Sequence, residues 1–109
     1  MKRYCLALDL IDDPVMISEY ESFHKKARPE IEKSIRDAGI LVMDIYRTGN
    51  RLFMIMETTD DFSFEQKAKA DADNEQVQAW ENLMWQYQKA LPHAKPGEKW
   101  MLMKQIFKL

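Results

Sequence analysis

The sequence predicts an α+β fold of the ferredoxin-like type, with a four-stranded antiparallel sheet, two helices on one face and the element order β-α-β-β-α-β. Three observations predict it: an N-terminal run of alternating apolar residues, a glycine-asparagine pair between two β-rich runs, and two helical regions whose apolar residues recur every three or four positions. With 109 residues, the chain has room for one domain, spanning 1–109, around one hydrophobic core.

The first strand and the first helix follow from local signals. Leucines alternate with small or polar residues from Arg3 to Leu10, which predicts a strand with one apolar side. The Asp-Asp-Pro sequence at 12–14 predicts a helix start, because aspartate can accept hydrogen bonds from free N–H groups and proline fits the first turn. We expect a break at Arg28, because Pro29 follows it, and a left-handed cap at Gly39.

One face of the first helix is predicted to point towards the core. Its apolar residues recur every three or four positions, and a histidine and a tyrosine fall among them. The residues of this stripe are Tyr20, His24, Ala27, Ile31, Ile35 and Ala38.

A β-hairpin is predicted from Ile40 to Thr48 and from Arg51 to Thr59, with Gly49-Asn50 as its turn. Counting outward from the turn pairs Ile45 with Met54 and Met43 with Met56, so one face of the hairpin is rich in methionine. The opposite face also carries large apolar side chains, namely Val42, Tyr46, Phe53 and Ile55.

A second helical region is predicted from Asp61 to Leu91, in two pieces, because Asp73 and Gln76 resemble a capping box. Trp85 lies off its expected buried stripe, which consists of Val77, Trp80, Met84, Tyr87 and Leu91. A last strand, predicted from Trp100 to Phe107, has apolar residues on both sides.

Apolar residues on both faces of the sheet predict a homodimer. Two helices can cover only one face of a four-stranded sheet, yet the hairpin and the last strand are apolar on both. A second copy packed sheet to sheet, as in dimeric α+β barrels, would bury the remaining face.

Composition excludes several classes of partner. A net charge of -2 provides no basic field, so nucleic acid and anionic membranes are not expected as partners. No apolar run approaches the roughly 18 residues that span a bilayer, and no signal peptide is expected.

The single cysteine, Cys5, cannot close a disulfide within the chain, which favours the reducing cytoplasm. No glycine-rich phosphate loop, HExxH or paired CxxC motif is present, which excludes most cofactor enzymes.

Tyr20 and His24 lie four residues apart and therefore share the inward face of the first helix. One interpretation is structural, with the histidine hydrogen-bonded to the tyrosine as a polar pair inside the core. The other is chemical, because histidine titrates near neutral pH and could exchange protons at a cavity beside a hydroxyl group. Met43 and Trp80 likewise either fill the core or form the floor and wall of a pocket.

A set of residues distributed over nearly the whole chain resembles the L-rhamnose mutarotase family in order and spacing. The matching residues are Glu19-Tyr20, His24, Pro29-Glu30, Gly39, Ile45-Tyr46, Asn50 to Phe53, Gln78, Trp80, Met84 and Phe107. The resemblance implies a dimeric α+β barrel enzyme that interconverts the α and β anomers of a 6-deoxy-L-sugar without a cofactor or metal.

The resemblance also implies roles for individual residues. The family's proton-donating histidine falls on His24, and its sugar-contacting tyrosine falls on Tyr20. The expected catalytic pair is therefore His24, which gives its proton to the ring oxygen, and Tyr20, which either holds a sugar hydroxyl group or relays the second proton. Rhamnose-binding members carry a tyrosine where this chain has Met43, and an adjacent tryptophan pair of which Trp80 remains, followed by Glu81. These differences favour L-fucose over L-rhamnose, with Tyr20, Trp80 and Met43 contacting the sugar.

Two alternatives remain open at this point. The chain could be a non-catalytic small-molecule-binding dimer, in which Tyr20 and His24 only satisfy each other. It could also be a cofactor-free oxygenase, because dimeric α+β barrels host that chemistry too and a fold alone does not determine an activity.

Overall fold

The chain forms a single five-stranded sheet and four helices. All 109 residues are described by the structure, which is a computed structural model. In chain order the elements are β1 (Lys2–Leu10), α1 (Pro14–Lys25), α2 (Pro29–Asp37), β2 (Ile40–Thr48), β3 (Arg51–Thr58), α3 (Phe64–Ala72), α4 (Glu75–Trp85), β4 (Gln88–Lys89) and β5 (Met101–Leu102). None of the helices has the length and apolar character needed to cross a membrane.

The sheet has the predicted antiparallel arrangement, but its last strand differs. The order is β2-β3-β1-β4, and β5 also pairs with β1, so two short strands share the edge expected for one. The strand predicted from Trp100 to Phe107 was therefore wrong in extent, because only Met101 and Leu102 pair as a strand. One further backbone bond, from Met103 N–H to Cys5 O at 2.8 Å, prolongs this contact.

Both predicted interruptions of the helical regions are present. Asp13 accepts hydrogen bonds from two backbone N–H groups at the start of α1, and a new helix begins at Pro29 after the break at Arg28. The break also moves Ala27 off the helix. Ala27 and His24 are both exposed, so their predicted places in a buried stripe were wrong. Gly39 has φ +95°, and a Cβ there would lie 2.7 Å from Thr59 Oγ1, which explains the glycine cap.

The second helical region ends earlier than predicted. The side chain of Asn74, not that of Asp73, caps α4 by accepting from Gln76 N–H and Val77 N–H. The helix ends at Trp85 rather than Leu91, because Gln88 and the next residue pair with β1 instead of continuing the helical turn. The predicted stripe therefore holds for its first three residues, whereas Tyr87 and Leu91 pack from outside the helix.

The hairpin has the predicted register. Thr48 lies opposite Arg51, and the pairs Ile45–Met54 and Met43–Met56 follow. Gly49 has φ +56° and Asn50 does not have a positive φ, a pattern typical of a type II′ turn.

The helices cover one face of the sheet, as predicted. Leu6, Met54 and Met56 on one face are buried against helical residues that include Ile35, and Trp100 packs against both core clusters. On the other face the corresponding apolar residues are half-buried or exposed, namely Val42, Tyr46, Phe53 and Ile55. The site described next lies on the helix-covered face.

Candidate active site

A cavity of about 690 Å³ lies between the methionine-rich face of the sheet and the helices. Its lining includes the four residues singled out from the sequence, Tyr20, His24, Met43 and Trp80. Residues of all four helices form the walls, and β1, β2 and β3 supply the floor. The structure therefore brings the predicted site residues to one place.

Tyr20 projects from α1 and is 4% exposed. Its hydroxyl oxygen accepts a hydrogen bond from Gln88 Nε2 at 3.2 Å. Burial raises the pKa of the phenol above its ordinary value, and the bond from Gln88 only partly opposes this shift. The hydroxyl therefore stays protonated at neutral pH, and its hydrogen is available to an acceptor in the cavity.

Gln88 is a site residue that the sequence analysis missed. It was assigned to the end of a helix, whereas it forms β4 opposite Leu10 and lines the cavity. No local signal identifies it, because its position depends on pairing with a strand at the other end of the chain.

His24 is held by the backbone of its own helix. Its Nδ1 lies 2.8 Å from the carbonyl oxygen of Tyr20, one turn earlier. Because a carbonyl oxygen can only accept, Nδ1 carries the hydrogen, which leaves Nε2 for proton exchange. The rings of His24 and Tyr20 are 4.5 Å apart, but their side chains are not hydrogen-bonded to each other, so the self-satisfied pair of the structural interpretation does not form.

Trp80 projects from α4 and contacts two cavity residues. Its ring meets the His24 ring at a centroid distance of 5.4 Å and an angle of 66°. The guanidinium carbon of Arg28 lies 4.5 Å from the centroid of the Trp80 ring. The sequence pattern predicted only a helix break at Arg28, yet the break places its side chain in the cavity lining.

The floor and the rim of the cavity differ in character. Met54 and Met56 are buried and Met43 is half-buried, so the floor is apolar and polarisable. Charged side chains also line the cavity, among them Glu81 and an ion pair between Lys67 and Asp71. No group of three or more His, Cys, Asp or Glu side chains is placed to hold a metal ion.

The second tryptophan of α4 and the second histidine of the chain lie outside this cavity. Trp85 is on the surface, where Lys99 Nζ lies 5.0 Å from its ring centroid. His93 is exposed in the connection between β4 and β5.

Comparison with known families identifies the chain. The sequence profile described as L-rhamnose mutarotase matches residues 3–109. The chain belongs to the L-rhamnose mutarotase family. This membership confirms the resemblance seen in the sequence and makes the protein a mutarotase, an epimerase acting on carbohydrates.

Two curated relatives match this mutarotase over almost its whole length. It is 45% identical over 111 residues to the L-fucose mutarotase of Xanthomonas campestris pv. campestris, covering 100% of the chain and 89% of the relative. It is 31% identical over 115 residues to a UPF0734 protein of Dictyostelium discoideum, covering 99% of the chain and 90% of the relative.

Two solved structures confirm the ferredoxin-like α+β fold. The crystal structure of an L-rhamnose mutarotase from Formosa agariphila matches with a TM-score of 0.73 and 20% identity, over 100% of this chain and 99% of that chain. Tetracenomycin F2 cyclase from Streptomyces glaucescens matches with a TM-score of 0.60 and 12% identity, over the same shares of each chain. At these identities the likeness concerns the fold alone.

Proposed function

We propose that this mutarotase interconverts the α and β anomers of a 6-deoxy-L-sugar, with L-fucose preferred over L-rhamnose, by acid-base catalysis at His24 and Tyr20. The observation that carries the proposal is the open Nε2 of His24 beside the protonated Tyr20 hydroxyl in one cavity of about 690 Å³. That volume lies within the range of about 300–1,000 Å³ found for small-molecule sites. The 45% identity to a relative named L-fucose mutarotase supports the choice of sugar.

Anomer exchange is a proton transfer coupled to ring opening. The C1 hydroxyl loses a proton and becomes the aldehyde, while the C1–O5 bond breaks and the ring oxygen gains a proton. The aldehyde carbon then turns its other face to the hydroxyl group, and the reverse transfer closes the ring. The net change is one proton moved from one oxygen to another and back, with no electrons gained or lost.

His24 supplies the mobile proton in this proposal. Protonated Nε2 gives its proton to the ring oxygen, and the proton lost by the C1 hydroxyl restores the imidazolium, so the residue ends as it began. The bond from Nδ1–H to the carbonyl of Tyr20 fixes the ring orientation throughout. A positioned acid-base group of this kind typically contributes about 10²- to 10⁴-fold in rate.

Tyr20 acts as a hydrogen-bond donor to a sugar oxygen. Its raised pKa argues against a role as a base, because the phenolate is not formed at neutral pH. Gln88 donates to the phenol oxygen and thereby orients the hydroxyl hydrogen away from itself. Of the two roles that the resemblance allowed, holding a hydroxyl group therefore has more support than relaying the second proton.

Trp80 and Met43 complete the proposed sugar contacts. The apolar methionine floor suits the methyl group at C6 and the C–H bonds of the sugar ring. Met43, where rhamnose-binding members of the family carry a tyrosine, leaves this part of the floor without a hydroxyl group. That difference supports L-fucose as the preferred sugar.

A homodimer and a cytoplasmic location form part of the same proposal. The outer face of the sheet presents the half-buried Phe53 and Ile55 beside the exposed Val42 and Tyr46, which a second copy packed sheet to sheet would bury. Cys5 is the one thiol of the chain and is half-buried, which suits a reducing compartment.

Saturation-transfer NMR at equilibrium tests the proposal directly. Irradiation of the α anomeric proton should lower the β signal in the presence of the enzyme, more strongly for L-fucose than for L-rhamnose at equal concentration. Exchange no faster than in buffer for both sugars would overturn the mutarotase assignment. Faster exchange with L-rhamnose would overturn only the sugar preference.

A further inference from the structure

Arg28 is an arginine whose side chain enters the cavity without a carboxylate partner. The chain has five arginines, and the other four, Arg3, Arg36, Arg47 and Arg51, each form an ion pair with an aspartate or a glutamate. The Arg28 guanidinium forms no ion pair and donates no hydrogen bond, and its Nε is buried without an acceptor. The Nη1 and Nη2 groups also have no acceptor in the protein but are not fully buried, so their N–H donors remain free for a ligand in the cavity.

The backbone around Arg28 directs the side chain towards the site. Pro29 excludes Arg28 from the helical conformation, and the residue has φ −131° and ψ 74° between α1 and α2. Its own N–H donates to Glu32 Oε2 at 2.9 Å, which fixes the start of the next helix. The side chain therefore leaves a corner between the two helices that is set by Pro29 and by this hydrogen bond.

Aromatic rings hold the guanidinium in place. Its carbon lies 4.5 Å from the Trp80 ring centroid and 5.7 Å from that of Phe23. Cation-π contacts retain a guanidinium without using its N–H groups, which point outward in its plane. The same contact covers one face of Trp80, so a sugar approaching that side meets the N–H groups of Arg28 before it meets the indole.

We propose that Arg28 is a specificity-determining residue that binds two adjacent hydroxyl groups of the sugar through parallel N–H donors. The proposal rests on the function given above and adds a contact to it. A pair of cis hydroxyl oxygens matches the spacing of a guanidinium fork, and neutral acceptors suit a site whose rim also carries the carboxylates Glu32 and Glu81. L-Fucose carries such a pair at C3 and C4, and L-rhamnose carries one at C2 and C3. The choice between the two sugars then depends on which pair reaches Arg28 when C1 is at His24.

The test removes the Arg28 side chain and individual sugar hydroxyl groups, separately and together, and compares the losses. Wild type, Arg28→Met and Arg28→Lys are compared on L-fucose, 3-deoxy-L-fucose and 4-deoxy-L-fucose, with kcat/KM from anomer exchange and Kd from calorimetry. We expect wild type to lose about 10- to 100-fold when a contacted hydroxyl is removed, as for a hydrogen bond to a charged group. Arg28→Met should lose a similar factor on L-fucose but no more on the deoxy sugar, and Arg28→Lys should fall between them.

Equal losses for wild type and Arg28→Met on every deoxy sugar would overturn the proposal, because Arg28 would then bind no hydroxyl. Arg36→Met serves as the matched control, since Arg36 is exposed and lies outside the cavity lining, and it should behave as wild type. If wild type exchanges no sugar, the proposed function fails. The calorimetric cycle still decides on Arg28 in that case, because sugar binding that is insensitive to Arg28→Met, or no binding at all, also overturns its role. If Arg28→Met does not fold, the Arg28→Lys comparison carries the same decision.

Discussion

The two faces of the sheet formed by β1, β2 and β3 have opposite environments. On β3 the even-numbered residues Leu52, Met54 and Met56 are buried beneath helices, and the odd-numbered Phe53 and Ile55 face away from them. Both sets are apolar, so hydrophobicity alone does not distinguish them. What differs is the cover: the chain's own helices close over one face and leave a cavity, whereas no element of the chain closes over the other.

This difference assigns separate tasks to the two faces. His24 and the Tyr20 hydroxyl lie on the helix-covered side, where a ligand can be enclosed. The outer side offers an apolar patch suited to a second sheet, flanked by the ion pairs Arg3–Glu57 and Asp9–Arg51. Substitutions on one face should therefore change catalysis and leave assembly intact, and substitutions on the other should do the reverse.

His24→Gln is expected to have the largest effect, a loss of exchange rate without a change in assembly or stability. Glutamine can still donate a hydrogen bond to the Tyr20 carbonyl but cannot transfer a proton, so the exchange rate should fall about 10²- to 10⁴-fold. Sedimentation and thermal unfolding should match wild type. Near-normal exchange in this variant would remove His24 from the mechanism.

Phe53→Glu tests the outer face, and we expect it to weaken the dimer. Its cross-strand neighbours are Ala7 and Tyr46, so the carboxylate has no cationic partner directly across either strand. Burying it between two sheets should weaken the dimer by about 2–5 kcal/mol, visible as monomer in equilibrium sedimentation at micromolar concentration. A dimer as tight as wild type would show that this face is not the interface, and Lys69→Glu on α3 provides a surface control.

Tyr20→Phe should have an intermediate effect on the cavity face. It removes the donor to the sugar and leaves Gln88 Nε2 without its acceptor, so kcat/KM should fall roughly 10-fold. Unchanged kcat/KM would show that the hydroxyl group does not contact the substrate.

The same variant should alter stability at high pH. Because burial raises the folded-state pKa of Tyr20, its stabilising contribution is complete below the unfolded pKa of about 10 and is lost as the pH rises through the folded value. Wild type should therefore lose stability above about pH 10, and Tyr20→Phe should lose less in urea denaturation. The pKa of Tyr87 is also raised, chiefly by its bond to Glu19, so Tyr87→Phe is the comparison variant.

Met43→Tyr should have the smallest effect and should sharpen the description of the floor. A tyrosine at this half-buried position adds a hydroxyl group to the cavity, which we expect to shift the ratio of kcat/KM towards L-rhamnose by a few-fold. An unchanged ratio would show that the strand position does not set the preference between the two sugars.

Sequence patterns predicted those parts of the molecule whose causes are local. The Gly49-Asn50 turn fixed the hairpin register, and the four-residue spacing of Tyr20 and His24 placed both on one cavity wall. The place of Gln88 in the cavity and the extent of the last strand could not be predicted, because both depend on pairing with β1. The position of Arg28 in the cavity lining was not predicted either, because a break in a helical pattern shows where the chain turns and not what its side chain contacts.

The thioether sulfurs around the cavity expose this enzyme to oxidants. Peroxide adds an oxygen atom to methionine sulfur and converts an apolar side chain into a polar sulfoxide. Of the four methionines that line the cavity, Met43 is half-buried and Met54, Met56 and Met84 are almost fully enclosed, so Met43 should react first among them. Damage to the cavity would begin at the position proposed to contact the sugar, and a methionine sulfoxide reductase could reverse it while the remaining three stay protected.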